Sequence, residues 1–238
     1  MTMKVIFAGP TLHGVDVSAD TGFRLLPPAR QGDVYRAVQD GANVIGLIDG
    51  VYEYVPAIWH KEILFGLSKG VRVFGGASMG ALRAAECAAF GMIGLGRIYE
   101  DYASGALEDD ADVAQAHGPA ELGFLPLSEP LVNVRATLGH CLEKQLISAA
   151  EHQELLETAA SIFFKERTYR RVLSASAAIP SERARELGTI LKENAVDQKL
   201  ADALVLIAAV IDAPDERVKP PADWTFEKTT LWADIFPD

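Results

Sequence analysis

Within the first ninety residues, runs that read as strands alternate with runs that read as helices. KVIFAG, DVYRAVQDGA, NVIGLIDG, PAIWHKEILFGLSKG, VRVFGG and SMGALRAAECAAFG follow one another in that order. The strand-like runs, Val5 to Ala8, Val44 to Ile48 and Val71 to Phe74, are rich in β-branched and aromatic residues, as strands covered on both faces are. Between them, Ala37 and Val38, then Ile63, Leu64 and Leu67, recur at helical spacing. Gly41 and Gly70 stand where helices end, and Pro56 where one starts. This alternation predicts βαβ units with right-handed crossovers, a parallel sheet flanked by helices in a three-layer α/β arrangement of the Rossmann or flavodoxin kind. Sites in such sheets form beyond the carboxyl ends of the strands, so the loops GPTLHG, IDGVYEYVP and GGASMG should converge.

From Gly91 the pattern changes. GMIGLGRIYEDYASG, EDDADVAQAHGP and FLPLSEPLVNVRATL follow, with room for one more strand, and beyond about Asn133 the chain reads as consecutive helices. Ser148 with Glu151 forms a capping box, and Ser181 with the glutamates after it is read as another. KPPADWTFEKTTLWADIFPD has no helical period and is expected to be an extended tail. We therefore expect an α/β core over residues 1–130 and an all-helical part with that tail over 131–238.

A net charge of −11 opposes binding to nucleic acid or an anionic membrane, since both need Lys and Arg to neutralise phosphate. The longest apolar run, Ala203 to Ile211, is about half of a bilayer span, and no opening stretch has a signal peptide's flanks. The chain reads as soluble and cytoplasmic. Cys87 and Cys141 belong to no CxxC and imply neither a disulfide framework nor zinc. Asp109, Asp110 and Asp112 read as a solvated helix start rather than a Mg²⁺ site, so we expect no metal and no cofactor.

Gly76, Ala77, Ser78, Met79 and Gly80 form GxSxG between a predicted strand and a predicted helix, the context in which that motif presents a nucleophile. Small residues two before and two after the serine let the backbone double back. Three readings stay open at this stage: nucleophile, anion cradle, or plain helix N-cap. For an oxyanion, Met79 N–H is the first candidate donor, with the loop around Gly9, Thr11 and Leu12, or Gly50, supplying a second. A base must lie within reach. His60 falls on one helical face with Leu64 and Leu67, which points it inward near the active edge, whereas His117 closes the acidic segment. His13 sits in the first loop; His140 and His152 belong to the helical half. Asp49 ends the second strand-like run and could orient a histidine or bind a substrate amine, or only start a turn. Arg83 and Glu86 stand three apart, as an intrahelical ion pair would, and Asn133 and Arg135 could reach back to the sheet edge.

Taken together, GPTL, LIDG, PAIWHKEIL, GASMGALRAAE, FGMIGLGRIYEDY, the segment ending in His117 and SEPLVNVRATL resemble the TfuA-like family. The resemblance runs over roughly residues 1–140 and is strongest from Ile48 to Leu138. It implies a partner of YcaO enzymes, which use ATP to activate a backbone amide. The product is usually a thioamide, in ribosomally made peptides or in the thioglycine of a reductase in methane-metabolising archaea. It further implies sulfur supply, from a thiocarboxylated sulfur-carrier protein or from sulfide, with the precursor peptide as a further partner. A thioacid carbonyl is an electrophile, so a serine with a base and an oxyanion hole could accept its acyl group and expel sulfide. A non-catalytic adaptor that recruits the donor or activates YcaO, and a stand-alone esterase or peptidase, are the alternatives.

Overall fold

A computed structural model describes residues 3–17, 22–51, 53 and 55–236, so Tyr52 and Tyr54 of the second converging loop lie outside the described residues. Strands β1 (Lys4–Phe7), β2 (Arg24–Leu26), β3 (Val44–Leu47), β4 (Arg72–Gly76) and β5 (Ile93–Leu95) form one parallel sheet in the order β2-β1-β3-β4-β5. That is the flavodoxin-like order, whose switch point lies between β1 and β3. Both β5, left open by the sequence, and β2, which it did not suggest, are short edge strands.

Alternation along the strands divides the apolar residues between two faces. Val5, Phe7, Ile45, Leu47 and Val73 face helices α1 (Asp33–Gln39), α2 (His60–Ser68) and α3 (Met79–Cys87), where Val34, Val38, Ile63 and Ala84 complete the layer. Ile6, Ala8, Val44, Ile48 and Phe74 face α9 (Gln198–Asp212), which contributes Ala203, Leu206, Ile207 and Val210. One long apolar helix from far along the chain thus covers the second face. Between them come α4 (Arg97–Ser104), α5 (Leu131–Glu143), α6 (Ala149–Ser161), α7 (Tyr169–Ala175) and α8 (Ser181–Glu193). Helices α5 to α8 enclose their own core, including Leu138, Cys141, Leu155 and Leu187. Among the described residues no helix is long and apolar enough to cross a membrane.

Three local expectations change. Helix α2 begins at His60 rather than beside Pro56, because Glu62 turns its buried carboxylate onto Trp59 N–H (3.3 Å) and onto Gly32 N–H (2.8 Å) at the start of α1. At α8, Pro180 is the cap and Ser181 is already helical with no capping bond, while Ser148 and Glu151 do cap α6 reciprocally. The tail is not extended throughout. Thr230–Ile235 form α10, which sinks Trp232 (1% exposed) among Tyr35, Trp59, Phe65, Phe226 and Phe236. Six residues are too few for a period to declare itself; aromatic burial fixes this helix.

Candidate active site

Beyond β1 the chain enters a tight turn, Pro10–Leu12; beyond β3 come Asp49 and Gly50; beyond β4, Ala77 and Ser78 lead into α3. Asp49, 2% exposed, fastens the first of these loops to the second. Its carboxylate accepts from Gly9 N–H (2.8 Å), Thr11 N–H (3.1 Å) and the Thr11 hydroxyl (2.6 Å). Gly9 and Thr11 are therefore committed to Asp49 and do not offer their N–H groups to an oxyanion. Asp49 orients a loop and faces Lys199 Nζ at 3.7 Å, not a histidine.

The turn before α3 is tight for a physical reason. Ser78 N–H donates to Gly76 O at 2.7 Å, with Ala77 between them at φ +66°, a strained three-residue turn that non-glycine residues rarely adopt. The strain falls on Ala77; Ser78 itself has φ −135° and ψ −130°. Helix α3 then starts against the end of β3, where Gly80 N–H donates to Ile48 O (3.1 Å) and a Cβ on Gly80 would stand 1.8 Å from Leu47 O. Ser78 is the N-cap residue of α3 by position, yet its hydroxyl makes no capping bond. Among the described residues its hydroxyl has no hydrogen-bond partner, and neither Met79 N–H nor Gly50 N–H has an acceptor.

Ser78, Met79 and Gly50 line one cavity of about 80 Å³. Asp49, Lys199 and His117 line the same cavity, together with Asp110, Val113, Ala114 and Gln115. His117 Nδ1 is 2.8 Å from Gly118 O, which makes Nδ1 the protonated nitrogen of the neutral ring and leaves Nε2 as acceptor. Its ring meets Phe124 edge-on, the centroids 5.7 Å apart. His60 is elsewhere. Its side chain is 44% exposed rather than inward, its Nε2 is 2.7 Å from Glu86 Oε2, and it lines a separate depression. Glu86 also accepts from Arg83 Nη1 (2.6 Å), the intrahelical pair the spacing indicated, and Arg83 borders both cavities.

Of the remaining candidates, Arg135 pairs with Asp112 at 3.4 Å and lines a polar depression outside this cavity. Asn133 reaches the start of α9: its Oδ1 accepts from Lys199 N–H (3.0 Å) and its Nδ2 donates to Asp197 (2.9 Å). Among the described residues, no group of His, Cys, Asp and Glu is arranged to hold a metal ion.

Lys199 is the site residue that sequence reasoning missed. A signal existed: Lys199, Ala203, Leu206 and Val210 repeat at helical spacing, so the lysine lies on the buried face of α9. Its Nζ donates to Val113 O (3.2 Å) and Gln115 Oε1 (3.5 Å), and it is 2% exposed. Burial pushes this ammonium below its usual range, while Asp49 and Asp197 pull the other way.

A family model described as TfuA-like protein matches residues 49–168, a span that contains Asp49, Ser78 and His117. No curated protein matches the chain.

Proposed function

The chain belongs to the TfuA-like family, partners of YcaO enzymes in backbone thioamidation, and on that premise we propose that it hydrolyses the C-terminal thiocarboxylate of a sulfur-carrier protein to supply sulfide. Ser78 is the nucleophile in this reading. It attacks the thioacid carbonyl, the tetrahedral adduct expels hydrosulfide, and water clears the acyl-enzyme, giving a carboxylate, hydrosulfide and one proton from thiocarboxylate and water.

One observation carries the proposal: Ser78, whose hydroxyl has no hydrogen-bond partner among the described residues, shares a cavity with Met79 and Gly50, whose N–H groups have no acceptor there. Such donors, fixed by backbone, stabilise the charge that develops on the carbonyl oxygen without having to reorganise. Met79 and Gly50 take this role, in place of the first-loop donors bound by Asp49. His117, with Nε2 as the acceptor of its neutral ring, serves as base for the water that clears the acyl group. Asp49 holds the loop, and Arg83, anchored on Ile58 O at 3.1 Å, borders the cavity as an electrostatic contact for the carrier's acyl tail.

The test is to mix the purified protein with a thiocarboxylated carrier and follow sulfide and carrier mass. Sulfide release with conversion to the carboxylate, lost in Ser78→Ala, is the expected result. An undiminished rate in Ser78→Ala refutes nucleophilic catalysis by that residue.

A further inference from the structure

We propose that the depression beside the catalytic cavity is the docking groove for the carrier's C-terminal tail, which lies extended along Ala57 and brings its last residue past Arg83 to Ser78. This rests on the hydrolytic reading above. The depression measures about 360 Å³, and its walls include Trp59, His60, Leu231 and Ile235. Ala57 and Arg83 line it too, and both also line the cavity of Ser78, so the two spaces adjoin. The catalytic cavity, about 80 Å³, holds only a few water-sized groups, enough for a thiocarboxylate on a small terminal residue. The chain behind that residue has to lie outside.

The groove offers main chain to its guest. On either side of Ala57, Pro56 O accepts from Gln31 N–H (2.9 Å) and Ile58 O from Arg83 Nε (3.1 Å), which ties the segment down. Among the described residues, neither the N–H nor the C=O of Ala57 has a partner. Ala57 is only half-buried, and the backbone leaves it in extended form, with Trp59 at φ −85° and ψ 133°. In an extended segment the two polar groups of one residue point to the same side, and neighbouring residues alternate. An extended peptide can therefore exchange two hydrogen bonds with Ala57, as a strand does when it is added to a free edge. Pairing of this kind asks nothing of the guest's side chains, which suits a tail of small residues.

The opposite wall is apolar. Helix α10 buries Trp232 and Phe236 in the aromatic layer and leaves Leu231 and Ile235, four residues apart on one face, exposed on the groove. Beside Trp59, this pair gains from being covered by the tail residues that precede the terminus. Arg83 stands where groove meets cavity, and its guanidinium attracts the thiocarboxylate anion to one point of a chain whose net charge is −11. Glu86, the acid at this junction, is engaged by Arg83 Nη1 (2.6 Å) and His60 Nε2 (2.7 Å). Because α10 lies outside the family-matched residues 49–168, a segment beyond them supplies one wall of the groove.

Two measurements test this. In the first, Leu231→benzoylphenylalanine is irradiated with the carrier in its carboxylate form, and the crosslink should map to the last few residues of the tail. In the second, sulfide release is compared between a synthetic pentapeptide thiocarboxylate ending in glycine and thioacetate, which is too short to reach the groove. The wild type should favour the peptide by about a hundredfold or more in kcat/KM. Leu231→Glu should remove about tenfold of that preference, a change that general damage to the fold would not make. Should Leu231→Glu fail to fold, Ile235→Glu tests the same wall. Methylating the amide nitrogens of the peptide one at a time should cost about fivefold at the one that meets Ala57 O and little at its neighbours. No crosslink to the tail, or an equal fall for peptide and thioacetate in a folded variant, overturns the groove. If the tail crosslinks at position 231 while the wild type releases no sulfide, the groove stands and the hydrolytic reading falls. Sulfide release without crosslink or change in preference leaves hydrolysis standing and removes the groove.

Discussion

At the scale of single residues, the account depends on a serine presented by a strained turn. Ala77 at φ +66° and the approach of Gly80 to Leu47 O hold Ser78 at the strand end, so Gly80→Ala should cost about 3 kcal/mol or more, read by denaturant melts. Asp49→Ala removes the acceptor of three first-loop donors and leaves Lys199 buried without its ion-pair partner. We expect a loss of about 3–5 kcal/mol, and a change below 1 kcal/mol would contradict the ion-pair account. Part of this site was legible in the sequence. GxSxG at a strand-to-helix junction located Ser78, Met79 and Gly80, and strand ends located Asp49 and Gly50. What was not legible was which side chains share a cavity. His60 looked inward because Leu64 and Leu67 share its helical face, yet it lies in the first turn, beyond the sheet's cover, and pairs with Glu86. Lys199 was hidden by distance along the chain: no local spacing links α9 to a turn after β4.

At the scale of elements, burial and caps decide what local patterns cannot. Strands covered on both faces were readable because their apolar runs are continuous, whereas β2, only Arg24–Leu26 on an edge, has no such run. Helix α10 depends on Trp232. Trp232→Ala should cost about 3–5 kcal/mol and loosen the aromatic layer over α1 and α2, seen as faster amide exchange there. The start of α6 gives a pH test. Hydrogen bonds from Arg183, and then from Ser148, hold the Glu151 carboxyl down at about 2 from an ordinary 4.5. Its folded-state value is depressed, so its contribution to stability is complete above about pH 4.5 and is lost as pH falls toward about 2. Glu151→Gln should flatten that part of the stability profile; an unchanged profile would argue against the Arg183 and Ser148 hydrogen bonds as its source.

For the whole molecule, the sheet acts as the plate on which two distant segments meet. Helix α3 brings the serine from one face and α9 brings the lysine across from the other, with Asp49 at the switch point between them. The family places the chain beside a YcaO enzyme, and an acidic surface with net charge −11 suits a partner with a basic patch. If the chain were only an adaptor, thioamidation from the carrier would survive Ser78→Ala and would fail when the contact with YcaO is broken. A hydrolytic role separates the two: carrier-fed thioamidation fails in Ser78→Ala, and ample free sulfide restores it. The most direct measurement needs no partner enzyme. A thiocarboxylated carrier is incubated with wild type and with Ser78→Ala, and sulfide is counted against carrier mass. The account predicts stoichiometric sulfide and carboxylate with the wild type and at least about a thousandfold slower release with the variant. Equal release by the two proteins would contradict it.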